Sequence, residues 1–192
     1  MNEAEFYDLA KWIIQSGLAG QDETATLSGF CERALASGVR LARANIVIAT
    51  LHPVYQGRAF TWKRQTGETA LTEYGRSDDR LDRWERSPFY NLELSGESSL
   101  RRRVNDESAA EFPILADLRA TGITDYLAIA NRFAAEGAIG DMDCVYSSWA
   151  TDASAGFQDS DVGNLNRLVA LIALTMKSAS LTRITGTLVE TY

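Results

Sequence analysis

The chain has 192 residues, 45% of them hydrophobic and 23% charged, enough apolar material for one globular domain with its own core. Nineteen Lys and Arg stand against 26 Asp and Glu, a net charge of −7, which argues against a broad electrostatic grip on nucleic acid or anionic lipid. Cys31 and Cys144 lie far apart without a CxxC spacing, and the only histidine is His52. An ordinary structural zinc site is therefore excluded, no metal is expected, and a reducing compartment fits best. No apolar run approaches the about 20 residues that cross a bilayer, so the expectation is a cytoplasmic protein that meets neither membrane nor nucleic acid.

Phe6, Leu9, Ala10, Ile13 and Ile14 recur at spacings of three and four and predict a first helix, with Gly17 and Gly20 available to end it. A second helix is expected from the short polar residues Asp22 to Thr24, carrying Leu27, Phe30, Cys31, Ala34 and Leu35 inward before Gly38. The β-branched run Ala44 to Leu51, closed by His52-Pro53, reads as a central strand buried on both faces. Arg58 to Gln65 alternates and pairs with it as an antiparallel neighbour, Thr69 to Tyr74 adds a third strand, and Ser77 to Arg86 reads as a short surface helix ending before Ser87-Pro88.

Ser98 to Val104 alternates Leu100, Arg102 and Val104 with Arg101 and Arg103 and predicts a strand that presents arginines. Phe112 to Ala120 follows as a helix that admits Pro113 in its first turn and stops at Gly122. Asp125 to Phe133 and Met142 to Thr151 read as two more strands joined through the Gly137 and Gly140 loop. The capping segment Phe157 to Asp161 then opens a long final helix. Leu165, Val169, Ile172 and Met176 keep a helical spacing, which Ile184 and Leu188 continue, and these first four are the candidate dimer interface.

The catalytic patterns are missing. His52 sits in a Leu-His-Pro turn with no Gly-x-Ser-x-Gly elbow, and neither phosphate-binding glycine loop occurs. Asp78-Asp79 and Asp141/Asp143 lack the twelve-residue calcium pattern and read as solvated loop charge. His52 as an axial haem ligand and Cys144 as a chromophore attachment point remain minor alternatives to a turn histidine and a buried thiol. Trp62, Trp84, Tyr90, Tyr126 and Trp149 are candidate walls of a small-molecule pocket, although the same residues would also serve an ordinary core. Arg101, in the run Arg101-Arg102-Arg103, is the candidate partner of a ligand carboxylate or phosphate, with a surface or interface position as the alternative.

Several stretches taken in order carry a family resemblance: Gly29 to Arg33, Ala44 through Pro53 with Gly57-Arg58 and Trp62, Trp84 to Tyr90, Leu100 to Arg103, Gly122 to Tyr126, and Ser148 to Asp152. Together they make the chain similar, over nearly its whole length, to the N-terminal regulatory region of bacterial class III adenylate/guanylate cyclases. The resemblance implies an α+β, GAF-like antiparallel sheet with helices mainly on one side and a long C-terminal signalling helix. It implies a sensory domain over 1–160 and a helix over 161–192 leading to a cyclase catalytic domain, with Thr185 to Tyr192 at the junction. The chain itself would be non-catalytic, because the two metal-binding aspartates of such cyclases have no counterpart here. The expected partners are a second copy of the chain, the catalytic domain in cis and a small-molecule effector of unknown identity. A ligand-free dimerisation module is the alternative, and a haem or bilin sensor using His52 or Cys144 is a third.

Overall fold

The computed structural model describes residues 1–49, 57–74, 83–133 and 144–190. Among the described residues the main elements are, in chain order, α1 (Glu3–Leu18), α2 (Glu23–Ala36), β1 (Arg43–Ala49), β2 (Gly57–Lys63), β3 (Glu68–Tyr74), α3 (Pro88–Ser95), β4 (Ser99–Arg103), α4 (Asp106–Glu111), α5 (Pro113–Ala120), β5 (Asp125–Arg132), β6 (Cys144–Thr151) and α6 (Asp159–Glu190). The strands form one six-stranded sheet in the order β3-β2-β1-β6-β5-β4, antiparallel throughout.

Local chemistry sets the helix starts. Asn2 caps α1 in a capping box, its Oδ1 accepting from the Glu5 amide at 2.9 Å while Glu5 Oε2 accepts from the Asn2 amide at 2.7 Å. Asp22 caps α2 by accepting from the Ala25 amide at 2.9 Å. Ser87 caps α3 with Pro88 in the first turn, and Gly96 ends that helix at φ +73°.

The period-two alternation of the strands divides the molecule into two layers. On one face Ala44, Ile46, Phe60, Trp62, Leu127, Ile129, Val145 and Trp149 meet the apolar sides of α1, α2 and α6 in the larger core. On the other, Tyr126, Ala128, Ala130 and Ala150 pack against Phe89 and Leu92 of α3 and Leu115 and Leu118 of α5. The three long helices thus share one face and the short ones cover part of the other.

Several expectations are corrected here. The second face of β1 is half polar, with Arg43, Asn45 and Val47 opening onto a cavity instead of a sealed core. Leu165, Val169, Ile172 and Met176 are each 0% exposed within their own chain, so they hold α6 onto the sheet and offer nothing to a second copy. α6 begins at Asp159 and contributes buried side chains as far as Ser180. The side chains of Ile184 and Leu188 and the 134–143 loop lie outside the described residues. Residues 83–85 are helical, while the rest of the expected surface helix up to Asp82 lies outside them.

Candidate functional site

Between the sheet and the starts of α3 and α5 lies a cavity of about 610 Å³, within the range of small-molecule sites. Strand register builds its floor. Thr61, Asn45 and Ser148 stand in one row across β2, β1 and β6, and the Thr61 hydroxyl donates to Asn45 Oδ1 at 2.7 Å. One row along, Arg43 on β1 is opposite Ala150, which is in turn opposite Tyr126 on β5. The small alanine leaves room between the guanidinium and the phenol. Pro88, Phe89, Pro113 and Ile114 make the apolar wall, and Arg83, Arg86 and Asp117 supply charge.

Burial shapes the electrostatics of the floor. It lowers the Arg43 pKa from its ordinary value, an effect partly offset by the Tyr126 and Tyr74 phenols. Burial also pushes Tyr126 up to about 12, against the opposing effects of its hydrogen bond with Ser148 and of Arg43. Tyr126 is therefore a neutral phenol at physiological pH.

The aromatic residues expected to share one pocket are divided between the layers. Tyr126 lines the cavity. Trp84 stacks edge-on to Tyr146 at 5.2 Å and lies 6.4 Å from Phe89, so it braces the Phe89 wall from behind. Tyr90 is half-buried on α3, with its amide bonded to Ser87 Oγ, and does not line the cavity. Trp62 and Trp149, 1% and 0% exposed, lie on the helix side of the sheet. Their parity decides this: Thr61 and Ser148 face the cavity, so the residues next to them face the helices. Trp149 makes an edge contact with Phe30 at 5.3 Å.

Arg101 also points away from the cavity. Its Nη2 donates to Asp125 Oδ2 at 2.8 Å and to the Phe157 carbonyl at 2.6 Å, and its Nη1 donates to Asp159 Oδ1 at 2.8 Å. Asp125 is 0% exposed and accepts from the Phe157 amide at 3.0 Å. This node fastens β4 and β5 to the start of α6. His52 lies outside the described residues. Cys144 is half-buried on β6 and burial raises its pKa, which disfavours the thiolate that attachment chemistry needs. Cys31 is fully buried and its pKa is raised well above the ordinary thiol value by burial, fitting the core position expected for it. Among the described residues no group of three or more His, Cys, Asp or Glu is placed to hold a metal, and no helix is long and apolar enough to cross a membrane.

Arg43, Asn45, Thr61 and Ser148, which make the floor, escaped the sequence reading. The signal was the polar pair at 43 and 45, two residues apart within an apolar strand.

No family model matches the sequence, and no curated protein matches it. Solved structures do match. The phycocyanobilin-bound GAF domain from a cyanobacterial phytochrome superposes with a TM-score of 0.58 at 10% identity, covering 95% of this chain and 97% of that one. The GAF domain from a phosphoenolpyruvate-protein phosphotransferase of Coxiella burnetii gives 0.54 at 12% identity, covering 97% and 99%. The N-acylhomoserine lactone dependent LuxR family transcription factor CepR2 of Burkholderia cenocepacia gives 0.53 at 10%, covering 94% and 98%. The chain has a GAF-like α+β fold.

Proposed function

We propose that this chain is a non-catalytic regulatory domain that binds a small molecule in the cavity between the sheet and α3/α5 and passes occupancy to α6. The observation that carries the reading is the cavity itself, about 610 Å³ with a polar floor and an apolar wall. The fold likeness supports it, since proteins of this fold include one that holds a bilin and one described as dependent on a lactone. Transmission is a population shift: the ligand must prefer one placement of α6, or nothing is passed on. The sequence resemblance supports a class III nucleotidyl cyclase domain as the element controlled in cis, in the cytoplasm. A homodimer would use the apolar side chains left exposed on the outer helices, Tyr7, Ile14 and Leu18 of α1 and Leu174 of α6.

Native mass spectrometry of the purified chain, with an absorbance spectrum of the same sample, tests the reading. Extra mass released on denaturation, and slower amide exchange along α6 in the loaded form than in the emptied form, are the expected results. A colourless, mass-exact protein whose melting temperature no metabolite moves would leave the cavity without a role and favour a ligand-free module. A visible absorption band would point to a tetrapyrrole.

A further inference from the structure

We propose that the ligand of this cavity is an organic anion, whose carboxylate or phosphate group is held by Arg43 from the floor together with Arg83 and Arg86 at the rim. The inference rests on the sensing reading above and names the chemical class it would take.

It comes from how the arginines of this acidic chain are neutralised. Arg58 pairs with Glu23 at 3.1 Å and Glu73 at 3.4 Å, Arg102 with Glu111 at 2.7 Å, Arg101 with Asp125 at 2.8 Å, Arg64 with Asp152 and Arg119 with Asp106. Arg132 donates instead to the carbonyls of Leu92 and Glu97. Among the described residues, Arg43, Arg83 and Arg86 form no ion pair, yet all three line one cavity. Asp117 is the single carboxylate among the described lining residues, so positive charge is in excess. A net charge of −7 over the chain makes this local concentration more telling.

Keeping the Arg43 guanidinium half-buried without a carboxylate partner among the described residues costs free energy through desolvation. An oxyanion removes that cost, and the planar fork of a guanidinium suits carboxylate and phosphate geometry. The neutral groups fit as well. Asn45 spends its Oδ1 on the Thr61 hydroxyl, leaving Nδ2 as a donor, and Tyr126 and Ser148 bring hydroxyls to the same floor. The apolar wall of Pro88, Phe89, Pro113 and Ile114 provides for the body of the ligand.

Calorimetric titration of the full chain with matched pairs, adenosine monophosphate against adenosine and benzoate against benzamide at constant ionic strength, tests the proposal. At least one anion should bind while its neutral counterpart binds tenfold or more weakly, and the responding pair tells phosphate from carboxylate. Arg43→Met should weaken that anion by roughly ten- to a hundredfold. Arg86→Met, at an exposed position, should weaken it in the same direction. Neutral compounds that bind as well as the anions, independently of Arg43, would keep the cavity as a binding site but overturn the anionic class. Failure of both anions overturns it too, and retained mass in the native spectrum then decides separately whether the cavity binds anything.

Discussion

Arg101 and Arg103 leave β4 on the helix side of the sheet and converge on Asp125, a fully buried carboxylate. On the other side Arg43, Arg83 and Arg86 converge on a cavity and pair with no carboxylate among the described residues. The first cluster is internally neutralised and acts as a fastener, because its charges, the Phe157 backbone and Asp159 satisfy one another. The second lacks that internal compensation, so its charge is available to something from outside. One sheet thus uses the same side chain in two ways, and the presence of a buried carboxylate is what separates them.

The largest break in that contrast should come from Asp125→Ala. It leaves the buried Phe157 amide without its acceptor and removes the carboxylate that Arg101 and Arg103 share, while Arg101 keeps Asp159 and the Phe157 carbonyl, and urea unfolding should register a loss of about 3 kcal/mol. Gly156→Ala strikes the same node from another side. Gly156 holds φ at +77°, and an added Cβ would overlap the Arg103 guanidinium and the Asp125 carboxylate, so a loss of roughly 1–3 kcal/mol is expected from the same measurement. Arg43→Met should have the opposite sign, raising stability by about 1 kcal/mol in the absence of anions, because an uncompensated charge leaves a half-buried site. A loss as large as that of Asp125→Ala would erase the distinction between the clusters.

The smallest effects are those of pH. The hydrogen bond from Arg64 holds the Asp152 carboxyl below its ordinary range, and that from Arg102 does the same for Glu111. Their contribution is fully present above the unfolded values near about 4 and is lost as the pH falls through the lower folded values. Both groups are partly exposed, so the acid limb they cause should be shallow. Arg64→Met should flatten it further in a series of urea midpoints. Tyr126 acts at the other end. With its folded pKa pushed up to about 12, its contribution is intact below about pH 10 and declines as the pH rises towards the folded value.

Much of the fold was legible because period-two and period-3.6 patterns need no partner to be recognised. β1, β2, β3, β5 and β6 and the starts of α1 and α2 lie within a few residues of their expected places. α3 was missed because Pro88 was read as a boundary, whereas Ser87 and Pro88 are its cap and first turn. α4 was missed although Asn105 and Ser108 cap each other in its first turn. The site was less legible for a physical reason. Alternation tells which residues of one strand share a face, but only pairing tells which face of the next strand joins it. Cavity-facing residues are 43, 45 and 47 on β1 but 126 on β5 and 148 on β6, and no single-strand pattern relates those parities. The chemistry of Trp62 and Trp149 fits a pocket wall and an ordinary core alike, and only register decides for the core. For Arg101 a ligand and a surface or interface position stay open in the sequence, because Asp125, its partner on β5, is not visible there.

The geometry of α6 turns its attachment into a mechanical amplifier. Its 32 residues extend about 48 Å at 1.5 Å per residue. Its first turn is tethered through Asp159 and Phe157 to the strands that carry Tyr126. Its buried side chains continue as far as Ser180, so a tilt of about 5° around that tether would shift the packed length of the helix as well, and the step of about 4 Å that it produces at Glu190 is coupled to repacking of the core.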